Sequence, residues 1–503
     1  MDEKIFGELD KNKNLKASGL HQIHSIGKSK YKTIPEMFIK SCESQKENQS
    51  LGYRETLKHS DTDNSIKYKL GKYNWIPYEE LFQTAKNFGC GARNICKLKQ
   101  KSKVVIYSNA KKECFISMNG LLMQNVTVVP CTGLDKEHLP HILNQTKSKV
   151  IIIDEKQKDI ITKIKGQCKY LRYVIIIPDN NKESQIIDQN SIGLKCYMYE
   201  EIIQQGEYSN ILSLPSPSNI AFIVYTKSHH HPPVGVKITH QNMIVSIYGI
   251  QERVMATPKD TYLSYSPFNK LTDILLQYVA IFNGSNIGYG SYDTLTDHSD
   301  HIMKNTKGDT TKLNPTIIQF TQNDLHKLKE SITQHIDKSP SYVKKLFHNV
   351  YDKKKEYLSK NESLEDYNGG NGILNVIKKW LGSNLRTIII NDGTTSKELQ
   401  EFFYICFDVN ILHGWSRNET CGFSCLSSPD HYKHTSVGPP LIHNYIKIMK
   451  GEVCIGGHNI TCGYYKNNEE TLQKYFIMNN ILWYKTGEKG KIHSNGTLEI
   501  VNN

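Results

Sequence analysis

At 503 residues the chain is long enough for about two to four folding units around a sizeable core. Apolar residues at 38%, with 33 Gly and 16 Pro, exclude a collagen-like, low-complexity or wholly disordered chain. The net charge of +13 is a weak bias that reads as composition, since Lys, Asn, Ile and Tyr are abundant together; a basic surface for acidic lipid or nucleic acid is the alternative.

Residues 1–30 read as a polar leader. IPEMFIKSCES (34–44) has helical spacing, and in YEELFQTAKNFGCGA (78–92) Leu81, Ala85 and Phe88 share one helical face. SKVVIYS is a run of strand length, NGLLMQNVTVVP passes from helix to strand, and LPHILNQTKSKVIIID repeats that pattern with a strand at 150–153. RYVIIIP is a further strand. Strands alternating with helices predict βαβ units and a parallel sheet. A Ser- and Pro-rich stretch near 205–218 reads as a linker. Beyond it come the strand IAFIVYT, the loop KSHHHPPVG and a helix beginning near THQNMIVSIYGI. Residues 341–380 form a charged helical region, and LRTIIIN is a strand. After about residue 430 the pattern shortens into strands and turns, with NGT at 495–497 as a hairpin turn.

The 12 Cys are scattered and form no C-x-x-C pair, which predicts reduced, cytosol-type usage without a disulfide framework or zinc site. No run of 18 apolar residues is present, and the N-terminus lacks the apolar core of a secretion signal. The basic runs KLKQKSK (97–103) and YDKKKEYLSK (351–360) carry no aromatic ladder and match no nucleic-acid module.

Several segments, in order, carry a family resemblance. SNIAFIVYT…PPVGVKITHQN is similar to the phosphate-loop region Y-T-S-G-T-T-G-x-P-K-G-V of the AMP-forming acyl-CoA synthetases. YLSYSPFNKLTD, LNPTIIQFTQNDLHKL, LGSNLRTIIINDGTTSKELQEFF, LHGWSRNETCG, GEVCIGGHNITCGYYKNNEET and WYKTGEKGKIHSNGTLEI follow further segments of that family. NIGYGSYDTLTD and LGYRET favour its long-chain fatty acid–CoA ligase branch, and the resemblance covers about residues 31 to 503. It implies an α/β fold: two helix-flanked β-sheet subdomains, at 31–210 and 218–430, and a small β-rich subdomain at 431–503. It also implies a two-step reaction. ATP with Mg²⁺ and a fatty acid give acyl-adenylate and pyrophosphate, and coenzyme A then displaces AMP.

The family's chemical positions are largely altered here. In the phosphate loop Thr226 and Gly235 are kept, while Lys227, Ser228, His229, His230 and His231 replace Ser, Gly, Thr, Thr and Gly. Glycine lets backbone amides approach phosphate closely, which Ser228 and His231 do poorly. Lys270 stands where the family has the acyl-site His. Thr321, Gln322 and Asn323 replace V-P-R, and Asn391, Asp392 and Gly393 replace the adenine-side G-G-A. Trp415 replaces a stacking Tyr, with Ser416, Arg417 and Asn418 following it. Glu419 occupies the Mg²⁺-binding position beside Thr420, Glu488 replaces the ribose-binding Asp, and Gly456 replaces an Arg. The family's hinge Asp and Arg are Asn502 and Asn503, and the C-terminal domain carrying the catalytic Lys is expected to be absent. The reading is therefore a long-chain fatty acid–CoA ligase homologue whose catalysis is lost or impaired. The alternative is a fatty-acyl-binding pseudoenzyme or a regulatory partner of an active paralogue. Its expected partners are a long-chain fatty acid or acyl-CoA, and a lipid-bearing membrane met peripherally from the cytoplasm; nucleic acid is not among them.

Overall fold

A computed structural model describes residues 7–9, 15–17, 30–62, 65–179, 193–226, 232–360, 371–391, 395–428 and 436–501. Its first sheet is built on β-branched runs. Val150–Asp154 is buried along its whole length and Tyr173–Ile177 after its first residue, as parallel strands covered on both faces must be. The order is Gly235–Thr239, Ile220–Tyr225, Thr127–Pro130, Lys103–Tyr107, Val150–Asp154, Tyr173–Ile177, Lys195–Met198. Only the first pair is antiparallel. Helices Lys112–Met123, Leu139–Thr146 and Lys158–Ile164 supply successive crossovers.

The second sheet has eight strands, in the order Gly422–Leu426, Asn410–Arg417, Thr387–Asn391, Ile317–Thr321, Thr261–Ser264, Asn286–Tyr289, Gln49–Thr62, Ser65–Pro77. It is parallel except for the outermost pair at each edge. Helix Leu271–Asn283 is buried from Leu271 through Ile281 and joins residues of both sheets in one core. The third sheet is antiparallel and formed mainly by Asn444–Met449, Glu452–Gly457, Tyr475–Met478, Ile481–Ile492 and Leu498–Val501. The expected α/β architecture, two helix-flanked sheets and a smaller β-rich unit, is the observed one. The expected hairpin turn is also present: Gly496, at φ 77°, turns the chain between Ile492 and Leu498.

Other segments depart from the sequence reading. Gly7–Leu9 and Leu15–Ala17, within the expected polar leader, pair with each other, and Leu15 pairs with Ile446 on the third sheet. The backbone groups along Asn444–Met449 offer an open edge that a short strand satisfies. The stretch near 205–218 is docked rather than a free linker. Ser213 N–H donates to the Met123 carbonyl at 3.0 Å, and Gln124 Nε2 donates to the Ile211 carbonyl at 2.8 Å. Strands also cross it: 220–239 extends the first sheet, and the ribbon 49–77 extends the second. No disulfide joins the cysteines, and Cys462 alone among them is exposed. Among the described residues no helix is long and apolar enough to cross a membrane.

Helix His240–Val254 starts at a reciprocal cap, in which Thr239 Oγ1 accepts from Asn242 N–H and Asn242 Oδ1 accepts from Thr239 N–H, both at 3.1 Å. It ends at Met255, which is exposed and left-handed at φ 48°. Met255→Gly is expected to stabilise the protein by about 0.5–1 kcal/mol, because glycine adopts this conformation without a Cβ clash. Urea unfolding of the variant checks this; a lower midpoint would show that methionine packing outweighs the backbone term.

Candidate nucleotide and acyl site

In an open parallel sheet, ligands sit beyond the carboxyl ends of the strands. In the second sheet those ends are Thr321, Asn391 and Arg417, and beside them lies the first turn of helix Leu271–Asn283. Buried Thr272 Oγ1 receives Gln319 Nε2 at 2.9 Å and Asn391 Nδ2 at 3.0 Å. Asn391 Oδ1 in turn accepts from Ser416 Oγ at 2.6 Å. Three strand ends and a helix are thereby tied by side-chain amides and hydroxyls. Buried Gln319 Oε1 has no partner among the described residues. Thr321 caps helix Gln322–Asp337. Asp392 and Gly393 lie outside the described residues.

Glu488, expected at a ribose-binding position, is also engaged. Trp415 Nε1 donates to Glu488 Oε2 at 2.6 Å, and the Arg417 guanidinium forms an ion pair with Oε1 of the same carboxylate. Arg417 lies 5.9 Å from the Trp415 ring centroid, so cation, indole and carboxylate form one cluster, with the Arg417 side chain on its exposed side. Glu419, expected at a metal, is buried and accepts from Tyr464 O–H at 2.9 Å. Burial first and the Glu419 charge second push the Tyr464, Tyr475 and Tyr484 phenols upward, which keeps Tyr464 a donor. Among the described residues no group of three or more His, Cys, Asp or Glu is placed to hold a metal ion. The Thr420 hydroxyl lies 3.1 Å from the Arg417 carbonyl and 2.9 Å from that of Gly422, a local turn contact.

In the phosphate loop, Thr226 N–H donates to the Val234 carbonyl at 3.0 Å and closes the base of the loop. Gly235 faces Tyr225, and a Cβ there would come within 2.7 Å of Ile223 Cγ2, so close strand packing explains this glycine. Lys227, Ser228, His229, His230 and His231 lie outside the described residues. Gly456 has a similar cause: a Cβ would meet the Trp483 ring at 2.6 Å, leaving no room for an arginine.

Lys270 is half-buried at the start of helix Leu271–Asn283, without a side-chain cap bond. Asp273, one turn on, accepts from Tyr262 O–H at 2.6 Å, Gln277 Nε2 at 2.7 Å and Ser264 O–H at 2.8 Å. Burial pushes its carboxyl up to about 6 against those three bonds. Next to Tyr262 the packed interior leaves about 10 Å³, far less than an acyl chain fills. Phe320, by contrast, borders an open cavity of about 570 Å³ whose wall is mostly polar, with Asp293, His298, Asp324, Lys327 and Glu330 beside the apolar Leu295, Leu328 and Trp380. Lys270 lines neither space.

Sequence reading missed the Arg417–Glu488 pair and the Thr272–Gln319–Asn391 bridge. Only the altered identities at Arg417, Asn391 and Glu488 hinted at them. As arranged, the Glu488 carboxylate faces Arg417, the Asn391 amide is bridged between Thr272 and Ser416, and one oxygen of Glu419 accepts from Tyr464.

The model of the AMP-binding enzyme family matches residues 54–465. Long chain acyl-CoA synthetase 8 of Arabidopsis thaliana is 30% identical over 498 residues, spanning 93% of this chain and 69% of that protein. Fatty acyl-CoA synthetase B of Dictyostelium discoideum is 25% identical over 96% of this chain and 71% of its own. Among solved structures, a long-chain-fatty-acid-CoA ligase from Archaeoglobus fulgidus superposes with a TM-score of 0.70 at 15% identity, over 96% of this chain and 85% of that one. That likeness shows the shared fold. The family match across most of the chain and the similarity to an acyl-CoA synthetase over 93% of it establish that this protein belongs to the AMP-binding enzyme family.

Proposed function

We propose that this protein is a long-chain fatty acid–CoA ligase homologue that holds a fatty acyl group and has lost, or nearly lost, its ATP-dependent activation. The observation that carries this reading is the Trp415–Glu488–Arg417 cluster, in which the acid expected at the ribose position already has a countercharge within the chain. The Thr272–Asn391–Ser416 bridge supports it by engaging the adenine-side amide. Opening either cluster for a nucleotide means breaking charge-assisted or buried hydrogen bonds before any are gained. Losing a single stabilising donor in such a site costs about a hundredfold or more in rate. The fatty-acyl class rests on the similarity to long-chain and fatty acyl-CoA synthetases. The cavity beside Phe320 is its proposed place, because it has room and places Leu295, Phe320, Leu328 and Trp380 along one part of an otherwise polar wall.

Purified protein with palmitate, ATP, Mg²⁺ and coenzyme A is expected to form no acyl-CoA above background. It is expected to bind a fluorescent fatty acid that palmitate displaces. Leu328→Trp, which narrows the cavity, should weaken that binding, and Lys270→Ala should leave it unchanged. Robust acyl-CoA formation would overturn the loss of activation; absence of fatty-acid binding would overturn the retained acyl site.

A further inference from the structure

The lysine-rich run at 97–103, which the family reading leaves unused, lines a cavity of about 440 Å³. Lys97, Lys99, Lys101 and Lys103 come from the turn that leads into strand Lys103–Tyr107. Lys147 and Lys149 come from the turn before Val150–Asp154, and Lys466 from the segment after Tyr465. Seven lysines and no acidic side chain line the space, and none of the seven forms an ion pair among the described residues. Tyr465 stands between two of them, with Lys466 Nζ 5.4 Å and Lys103 Nζ 5.9 Å from its ring centroid.

Lysine abundant by composition alone would be scattered over the surface. Here lysines from three separate segments converge, and the cluster repels itself. Burial, then the charges of Lys466 and Lys147, make the half-buried Lys103 ammonium easier to deprotonate. Four of the seven also stand in the left-handed backbone region, at φ 49° for Lys97, 63° for Lys101, 54° for Lys147 and 53° for Lys466. Glycine and asparagine adopt that region at lower cost, and the chain uses asparagine for it at Asn125, Asn305, Asn314, Asn479 and Asn480. Charge is therefore concentrated at this cavity against electrostatic preference, although Met255, Asp408, Cys421 and Lys450 also take the left-handed region elsewhere in the chain. The cavity takes in the amino ends of strands Lys103–Tyr107 and Val150–Asp154. On its other side Tyr465 N–H donates to the carbonyl of Gly235, the residue paired with Tyr225.

We propose that this cavity is a binding site for a multiply phosphorylated group. Lysine ammonium groups act on phosphate as point charges that need no fixed approach plane, and several phosphates are needed to balance seven of them. The phosphates could belong to a lipid headgroup or to a free compound.

Calorimetric titration of the full chain with inositol hexakisphosphate tests the free form. Sedimentation with phosphatidylcholine vesicles, with and without about 5% phosphatidylinositol bisphosphate, tests the lipid form. Binding in either arm is expected, and the arm in which it occurs identifies the source. The triple substitution Lys103→Gln, Lys147→Gln, Lys149→Gln should weaken it by about a hundredfold. The control Lys72→Gln, Lys345→Gln, Lys353→Gln removes the same charge elsewhere and should leave it unchanged. If the cavity triple does not fold, Lys101→Gln alone should weaken binding by about fivefold. Binding in neither arm, or equal affinity in cavity and control variants, overturns the site.

Discussion

Arg54→Leu is expected to destabilise the protein by about 3–5 kcal/mol, because it leaves a buried carboxylate without its countercharge. Arg54 Nη1 lies 2.8 Å from Asp309 Oδ1, and the two side chains are only 3% and 2% exposed. Arg54 also donates from Nε to the Gly71 carbonyl at 2.8 Å. The other oxygen of Asp309 accepts from Thr294 O–H at 2.6 Å and from Ser291 N–H at 3.0 Å. The pair thus fastens the edge ribbon 49–77 to the segment after strand Asn286–Tyr289. Burial already pushes the Asp309 carboxyl upward, so little removes its charge once Arg54 is gone except protonation. Adding Asp309→Asn to Arg54→Leu should recover about half of the loss, since the neutral amide can still accept from Thr294 and Ser291. Urea unfolding of both variants measures this. Equal losses in the single and double variants would show that arginine packing, not charge, dominates.

Acidification is the second large effect. His240 and His443 are buried, and burial lowers each imidazole to about 3, with His458 adding to the effect at His443. Neither ring nitrogen of His443, nor Nδ1 of His240, has a hydrogen-bond partner among the described residues. Both histidines are therefore neutral in the folded protein, while in the unfolded chain they take up protons near 6.5. Below that pH the unfolded state binds two protons that the folded state does not. Their contribution to stability is complete above about 6.5 and is lost as pH falls from there toward 3. Between pH 7.5 and 5 the two together remove about 4 kcal/mol. Asp273 works in the opposite direction. Its folded value of about 6 lies above the ordinary 3.8, so falling pH relieves the cost of burying its charge. Over the same interval it returns about 1 kcal/mol. Unfolding midpoints at the two pH values should show the net loss, and His443→Leu should reduce it by about 2 kcal/mol. A wild type and variant with parallel pH profiles would remove His443 from the account.

The local chemistry of the sequence determined most of the first sheet. Val150–Asp154 and Tyr173–Ile177 are legible because an unbroken β-branched run can be satisfied only between two covering layers. The helices between the strands followed from their apolar period, and the turn at Gly496 from its residue type. The altered phosphate-loop, adenine-side and ribose-side positions were visible as residue identities. The ribbon 49–77 escaped because its Lys, Ser and Thr alternation lacks the apolar face that marks a strand; its partner, Asn286–Tyr289, is far away in the chain. Leu15–Ala17 became a strand only because Asn444–Met449 offered an edge.

The candidate site divides the same way. Sequence placed Arg417 and Glu488 where a nucleotide would be expected, but 71 residues separate them, and no local propensity can bring a guanidinium onto that carboxylate. Gln319, Thr272 and Asn391 likewise meet only because two strand ends stop beside the first turn of one helix. In sequence the run at 97–103 is a basic stretch that matches no nucleic-acid module. Tertiary structure turned it into a cavity wall by setting Lys147, Lys149 and Lys466 against it. Composition fixes how much charge the chain carries; only the folded path decides whether those charges disperse into solvent or converge on one space.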